Sequence, residues 1–143
     1  MPQAIPIALL LECSWGESLK VIILEDDDLV AHGLIRGLGY LGHAGVHCRR
    51  VVEAQTLVQN LPDVEIALID IGLDEGESGE DFLVWLLRER PAVKRVLISG
   101  LARPRGFVDD PPHQLFLRKP FGQRELTTLF EALSPTTRKG ELP

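Results

Sequence analysis

The chain has 143 residues and a formal net charge of −6, long enough for one domain with a real core. That acidic balance argues against nucleic-acid binding, which wants a basic patch, and two cysteines, Cys13 and Cys48, do not make a disulfide framework. No apolar run approaches the roughly 20 residues of a membrane span, and Ala4 to Leu11 lacks the basic segment and cleavage site of a signal peptide.

Residues 1–19 read as an N-terminal extension. Pro2 and Pro6 interrupt it early, yet Ile7 to Leu11 is too apolar to sit comfortably in water. An added edge strand, a cover over the domain, a homodimer contact and a wrongly chosen start remain open alternatives. The first strand is expected over Lys20 to Leu24, running into the acidic cluster Glu25-Asp26-Asp27. A helix follows over about Asp28 to Leu38, with Leu29, Val30, Leu34, Ile35 and Leu38 on one face and Asp27 or Asp28 as cap. Gly39 to Gly42 ends it. Ala44 to Cys48 is a short second strand, and Val52 to Asn60 a helix stopped before Pro62.

The stretch Val64 to Asp70 is a continuous apolar run ending on a carboxylate. Such a run fits a strand covered on both faces, as in a parallel α/β sheet. A Gly- and acid-rich loop follows, then a helix over about Glu80 to Arg90 with Phe82, Leu83, Leu86 and Leu87 inward. Val93 to Ser99 is the fourth strand. Gly100 to Gln114 contains Pro104, Gly106, Pro111 and Pro112, so a long helix cannot run through it. Only a short helical turn near Phe107 to Asp110 fits. Leu115 to Leu117 is the fifth strand, and Gln123 to Leu133 the last helix, with Leu126, Leu129, Phe130 and Leu133 inward. Residues 134–143 read as a frayed tail. The alternation argues a doubly wound parallel sheet with residues 20–133 as its domain.

Ligands of such sheets bind beyond the carboxyl ends of the strands, so Glu25, Asp26 and Asp70 should meet there, with Lys119 arriving from the fifth strand. Crowded carboxylates repel and need a counter-ion, which points to an oxygen-ligated divalent metal beside an anion-holding lysine. Taken singly, the acids also fit a helix N-cap and a strand-end turn. Gly37-Leu38-Gly39-Tyr40-Leu41-Gly42 matches G-x-G-x-x-G but closes a helix and precedes a strand, so it is no dinucleotide site.

An acidic cluster after strand 1, Asp70 ending strand 3, Ser99 ending strand 4 and Lys119-Pro120-Phe121 after strand 5 occur in one order. In this the chain resembles the receiver domains of two-component response regulators over about Lys20 to Leu133. The resemblance implies a CheY-like, flavodoxin-type five-stranded sheet of order 2-1-3-4-5. It implies that Asp70 accepts a phosphoryl group from a sensor histidine kinase or phosphotransfer protein. Glu25, Asp26, Asp70 and the Gly72 carbonyl would then hold Mg2+ (or Mn2+). Lys119 and Ser99 would contact the phosphoryl group, Ser99 and Phe116 would form the switch, and Lys119–Pro120 would be a cis peptide. The chain is then expected to be a cytoplasmic phosphoacceptor rather than a turnover enzyme, signalling by protein contact with an unidentified output protein.

This sequence departs from that pattern in three places. Leu73-Asp74-Glu75-Gly76-Glu77 stands where such domains often carry a proline, Phe116 lacks the hydroxyl of a tyrosine, and the fourth helix is short or disrupted. Output is therefore expected to avoid the face that helix builds. No effector domain is seen after Leu133, which reads as a stand-alone or excised receiver. Small residues at Gly72 and Gly100 predict a short phosphoryl lifetime. The alternatives are a pseudo-receiver that binds partners without phosphorylation and an Asp-nucleophile phosphatase. Gly72 stands where such a phosphatase places its acid, which argues against it.

Overall fold

Each apolar run forms a strand, and each strand but the fourth is followed by a helix. The computed structural model describes residues 19–73 and 76–133. The expectations for residues 1–18, Asp74, Glu75 and the tail 134–143 lie outside the described residues. The elements in order are β1 (Lys20–Leu24), α1 (Asp28–Tyr40), β2 (Ala44–Cys48), α2 (Val51–Asn60), β3 (Ile66–Asp70), α3 (Gly79–Glu89), β4 (Lys94–Ser99), β5 (Gln114–Arg118) and α4 (Gln123–Leu133). All strand pairs are parallel, in the order β2-β1-β3-β4-β5. This is the doubly wound arrangement expected from the alternation.

Alternating strand residues point to opposite faces, and two cores result. Val21, Ile23, Ile66, Leu68, Val96, Ile98, Leu115 and Leu117 pack with α1 and α4 through Leu34, Leu38, Leu126, Phe130 and Leu133. Ile22, Leu24, Ala67, Ile69 and Leu97 pack the other way, against Ala54 and Val58 of α2 and Phe82 and Leu86 of α3. Phe82 stacks on Trp85 with ring centroids 5.8 Å apart. Because both faces are covered, the strands carry apolar residues at successive positions.

Three expectations need correction. Leu29 is 82% exposed. It stands nine residues before the buried Leu38, about two and a half turns away, and so on the opposite side of α1. The buried stripe is Ala31, Leu34, Gly37 and Leu38, with the expected Val30 and Ile35 packed against the same core. Leu87 is 46% exposed, about 100° round α3 from the buried Leu86. No helical turn forms near Phe107 to Asp110: the β4–β5 crossover is bends and turns, with Pro111–Pro112 cis. Prolines remove the amide donors a helix needs. Phe107 nevertheless turns inward and joins the second core.

The helix starts bring the site residues close to the sheet. The Asp27 side chain caps α1, accepting from Leu29 N at 2.9 Å and Val30 N at 3.3 Å. Ser78 caps α3 by accepting from Glu80 N at 3.1 Å. Gly79, the first residue of α3, lies so close to β3 that an added Cβ would sit 2.3 Å from the Asp70 carbonyl oxygen.

Candidate functional site

At the carboxyl edge of the sheet, β1 and β3 lie side by side with Leu24 opposite Ile69. The residues that follow are therefore neighbours. Glu25 is 1% and Asp70 4% exposed. With half-buried Asp26 they offer one carboxylate oxygen each, all within 4.8 Å of one another. Backbone groups hold two of them still: Glu25 Oε2 accepts from Asp27 N at 3.1 Å, and Asp70 Oδ1 from Gly72 N at 3.1 Å.

Lys119 reaches the cluster from the end of β5. Its N–H donates to the Ser99 carbonyl at 2.8 Å, and the Lys119–Pro120 peptide is cis. Its Nζ lies 3.1 Å from Glu25 Oε1 and 3.5 Å from Asp70 Oδ2. The lysine therefore bridges both buried acids rather than serving Asp70 alone. Burial by itself would lower the Lys119 pKa, but its contact with the Glu25 carboxylate and the Asp70 charge outweigh it and raise the value. Burial pushes the Glu25 carboxyl up to about 7, with Asp70's charge adding to the rise and the Asp27 amide and Lys119 opposing it.

The pair of Glu25 Oε1 with Lys119 is close enough for an ion pair but lacks hydrogen-bond alignment, and Oε1 is a buried oxygen without a hydrogen-bond donor among the described residues. A buried carboxylate oxygen left so is costly. Three hard oxygen donors, one of them unsatisfied, suit a small divalent cation, so the donor set fits the metal expected from the sequence.

The remaining expected residues surround this cluster. Ser99 ends β4, is 4% exposed, and its Oγ accepts from Leu101 N at 2.9 Å. A Cβ at Gly72 or Gly100 would meet no atom closer than 3.8 Å or 4.0 Å, so both positions leave room beside Asp70 and Lys119. Phe116 is half-buried against Phe107, ring to ring at 6.5 Å.

Sequence reasoning missed several residues here. His47 Nε2 donates to the Glu25 carbonyl at 2.6 Å and fixes the backbone under the cluster. Arg49 pairs with Asp28, and Glu77 with Arg50, across the rim. Glu77 also accepts from Val51 N at 2.8 Å, capping α2 from a different loop. None of these carries a local signal, since each joins residues more than 20 positions apart. Ser78-Gly79 reads locally as a helix start, but the close approach to Asp70 needs the fold.

No protein-family model matches the chain. It is 30% identical over 115 residues to sensor kinase CckA of Brucella abortus (strain 2308), covering 78% of this chain and 12% of that protein. It is also 30% identical over 133 residues to a response regulator receiver protein of Anaeromyxobacter sp. (strain Fw109-5), covering 92% of this chain. The chain spans 52% of the length of that relative. Among solved structures, a CheY-like receiver domain protein from Methanospirillum hungatei JF-1 superposes with a TM-score of 0.69 at 21% identity, over 80% of this chain and 92% of that one. The response regulator PhyR from Brucella abortus gives 0.67 at 25% identity, over 85% of this chain and 50% of that one. Sequence similarity along nearly the whole chain and the 2-1-3-4-5 parallel sheet agree: this chain belongs to the receiver domains of response regulators.

Proposed function

We propose that residues 20–133 act as a phosphoryl-accepting receiver, with Asp70 taking the group from a phosphohistidine of a sensor kinase or phosphotransfer protein. The observation that carries this reading is the buried carboxylate cluster at the strand ends with Lys119 between Glu25 and Asp70. An Asp70 carboxylate oxygen attacks phosphorus, the P–N bond breaks, and the imidazole leaves with the bonding electron pair. The product is an acyl phosphate. Glu25, Asp26, Asp70 and the Gly72 carbonyl would hold Mg2+ or Mn2+, which would supply charge neutralisation for the transferring oxygens.

Lys119 then exchanges its Asp70 contact for a phosphoryl oxygen. The Ser99 hydroxyl donates to another, and Phe116 follows the movement of the β4 end. The phosphoryl group adds nearly two negative charges to a site already crowded with acids, and Lys119 would offset part of that charge. The open positions at Gly72 and Gly100 admit water and make the acyl phosphate short-lived. Phosphohistidine donors of this kind work in the cytoplasm, and the reading places the chain there. Output is by contact with another protein. The β4–β5 crossover carries no helix, so that contact uses a different surface.

The reading is tested by adding acetyl phosphate and Mg2+ to the full chain and recording its intact mass. One Mg2+-dependent phosphoryl adduct, absent in Asp70→Asn, is the expected result. If neither an adduct nor beryllofluoride binding is found, the phosphoacceptor reading is lost and the acidic cluster belongs to a binding module.

A further inference from the structure

Between Ser99 and Gln114 the chain forms no helix, and the segment folds back onto β5. Asp109 is the centre of that contact. Its Oδ1 accepts from Arg103 Nη1 at 2.8 Å and from the backbone N–H of Phe116 at 3.2 Å, and its Oδ2 from Arg103 Nη2 at 3.4 Å. The Arg103 guanidinium also lies over the Phe116 ring, 5.2 Å from its centroid, within cation–π range. Phe107, 9% exposed, meets the same ring edge-on at 6.5 Å. Asp110 and Gln114 exchange backbone hydrogen bonds of 2.7 Å and 3.0 Å. β5 ends the sheet, and an edge strand leaves amide groups unpaired on its outer side. The Asp109 carboxylate satisfies one of these, the amide of Phe116.

We propose that Arg103 and Asp109 are positioning residues that clamp Phe116 against Phe107 through their ion pair, the amide contact and the ring contact. Ser99 links the clamp to the site. Its Oγ is held by Leu101 N, so a hydroxyl that swings towards an anion on Asp70 pulls on the chain two residues before Arg103. The clamp opposes that swing. Releasing it therefore shifts the population towards the anion-bound arrangement and tightens anion binding. The clamp itself stands on the contacts above; its coupling to Asp70 rests on the phosphoryl reading.

The test uses the full chain with Mg2+ and beryllofluoride as probe, in wild type, Arg103→Gln and Asp109→Asn. Asp109→Asn keeps an oxygen for the Phe116 amide and loses the ion pair. Arg103→Gln loses the ion pair and the ring contact. Both sides of the pair are partly exposed, so each variant is expected to bind the probe about two- to fivefold more tightly. A pair that merely stabilised the fold would lower the melting temperature and leave binding unchanged or weaker, and that result in both variants overturns the proposal. Should one variant fail to fold, the other decides. If wild type binds no beryllofluoride, the phosphoryl reading fails separately. The clamp is then judged by hydrogen exchange of the Phe116 amide in Asp109→Ala, where faster exchange supports it and unchanged exchange overturns it.

Discussion

Gly79 shows how a single residue sets the approach of a helix to the site. A Cβ there meets the Asp70 carbonyl oxygen at 2.3 Å and Ile69 Cγ2 at 2.8 Å. The first contact is backbone, so nothing flexible can give way. Gly79→Ala is expected to destabilise the protein by about 1–3 kcal/mol through overpacking, read as a lower urea midpoint at unchanged slope. Gly33 makes the contrast. It lies in α1 with nothing within 4 Å of its missing Cβ, and Gly33→Ala is expected to stabilise by roughly 0.5–1 kcal/mol. A Gly79→Ala protein as stable as wild type would mean that α3 can shift without strain.

At the scale of elements, each described helix begins on a side-chain oxygen, and the sources differ. Asp27 and Ser78 cap their own helices, and Glu125 Oε1 accepts from Gly122 N at 2.8 Å ahead of α4. α2 starts on Arg50, which has no acceptor to offer. Glu53 serves the amides of Arg49 and Arg50, and Glu77 from the β3–α3 loop serves Val51. The Val51 amide, with Arg50 beside it, holds the Glu77 carboxyl below its usual value. Glu77→Ala is expected to cost about 1 kcal/mol, as for other lost caps, with faster amide exchange confined to the first turn of α2. Glu77→Gln should lose less, because its amide oxygen still accepts from Val51. Equal losses in both variants would assign the effect to the Arg50 pair instead.

Across the whole molecule, His43 joins three parts of the fold. Its Nδ1 accepts from Leu19 N at 3.1 Å, just before β1, and its ring stacks on Phe130 of α4 at 5.3 Å. Burial lowers its pKa below the ordinary 6.5. The folded protein therefore binds this proton more weakly than the unfolded chain. The contribution of His43 to stability is present above pH 6.5 and is lost as pH falls through its lower folded value. Glu25 works in the opposite direction. Its value, raised from 4.5 to about 7, gives stability present below 4.5 and lost as pH rises through 7. A comparison of variants separates the two. Between about pH 7.5 and about pH 5, wild type is expected to lose stability relative to His43→Asn, measured by urea unfolding. Parallel pH profiles would show that the ring takes up its proton as readily in the folded protein as in the unfolded chain.

The order of elements, both ends of β1, β2 and α4, and the acids that close β1 and β3 were legible in the sequence. They depend on periodicity and local turn chemistry, which a chain carries in its neighbouring residues. Covered strands announced themselves because a parallel sheet buries both faces. The same local reasoning misplaced Leu29 and Leu87, since an apolar residue counts toward a stripe until the helix phase is known. It also allowed a helical turn at Phe107, where tertiary packing instead drew the ring into the core. Only the tertiary structure decided that Lys119 bridges Glu25 and Asp70, that Glu77 caps a helix it does not belong to, and that Asp109 and Arg103 hold Phe116. The first two join charged or polar groups on separate segments, and the third folds one crossover back onto β5. Such contacts leave no pattern along the chain, because what selects them is desolvation and geometry at the place where the segments meet.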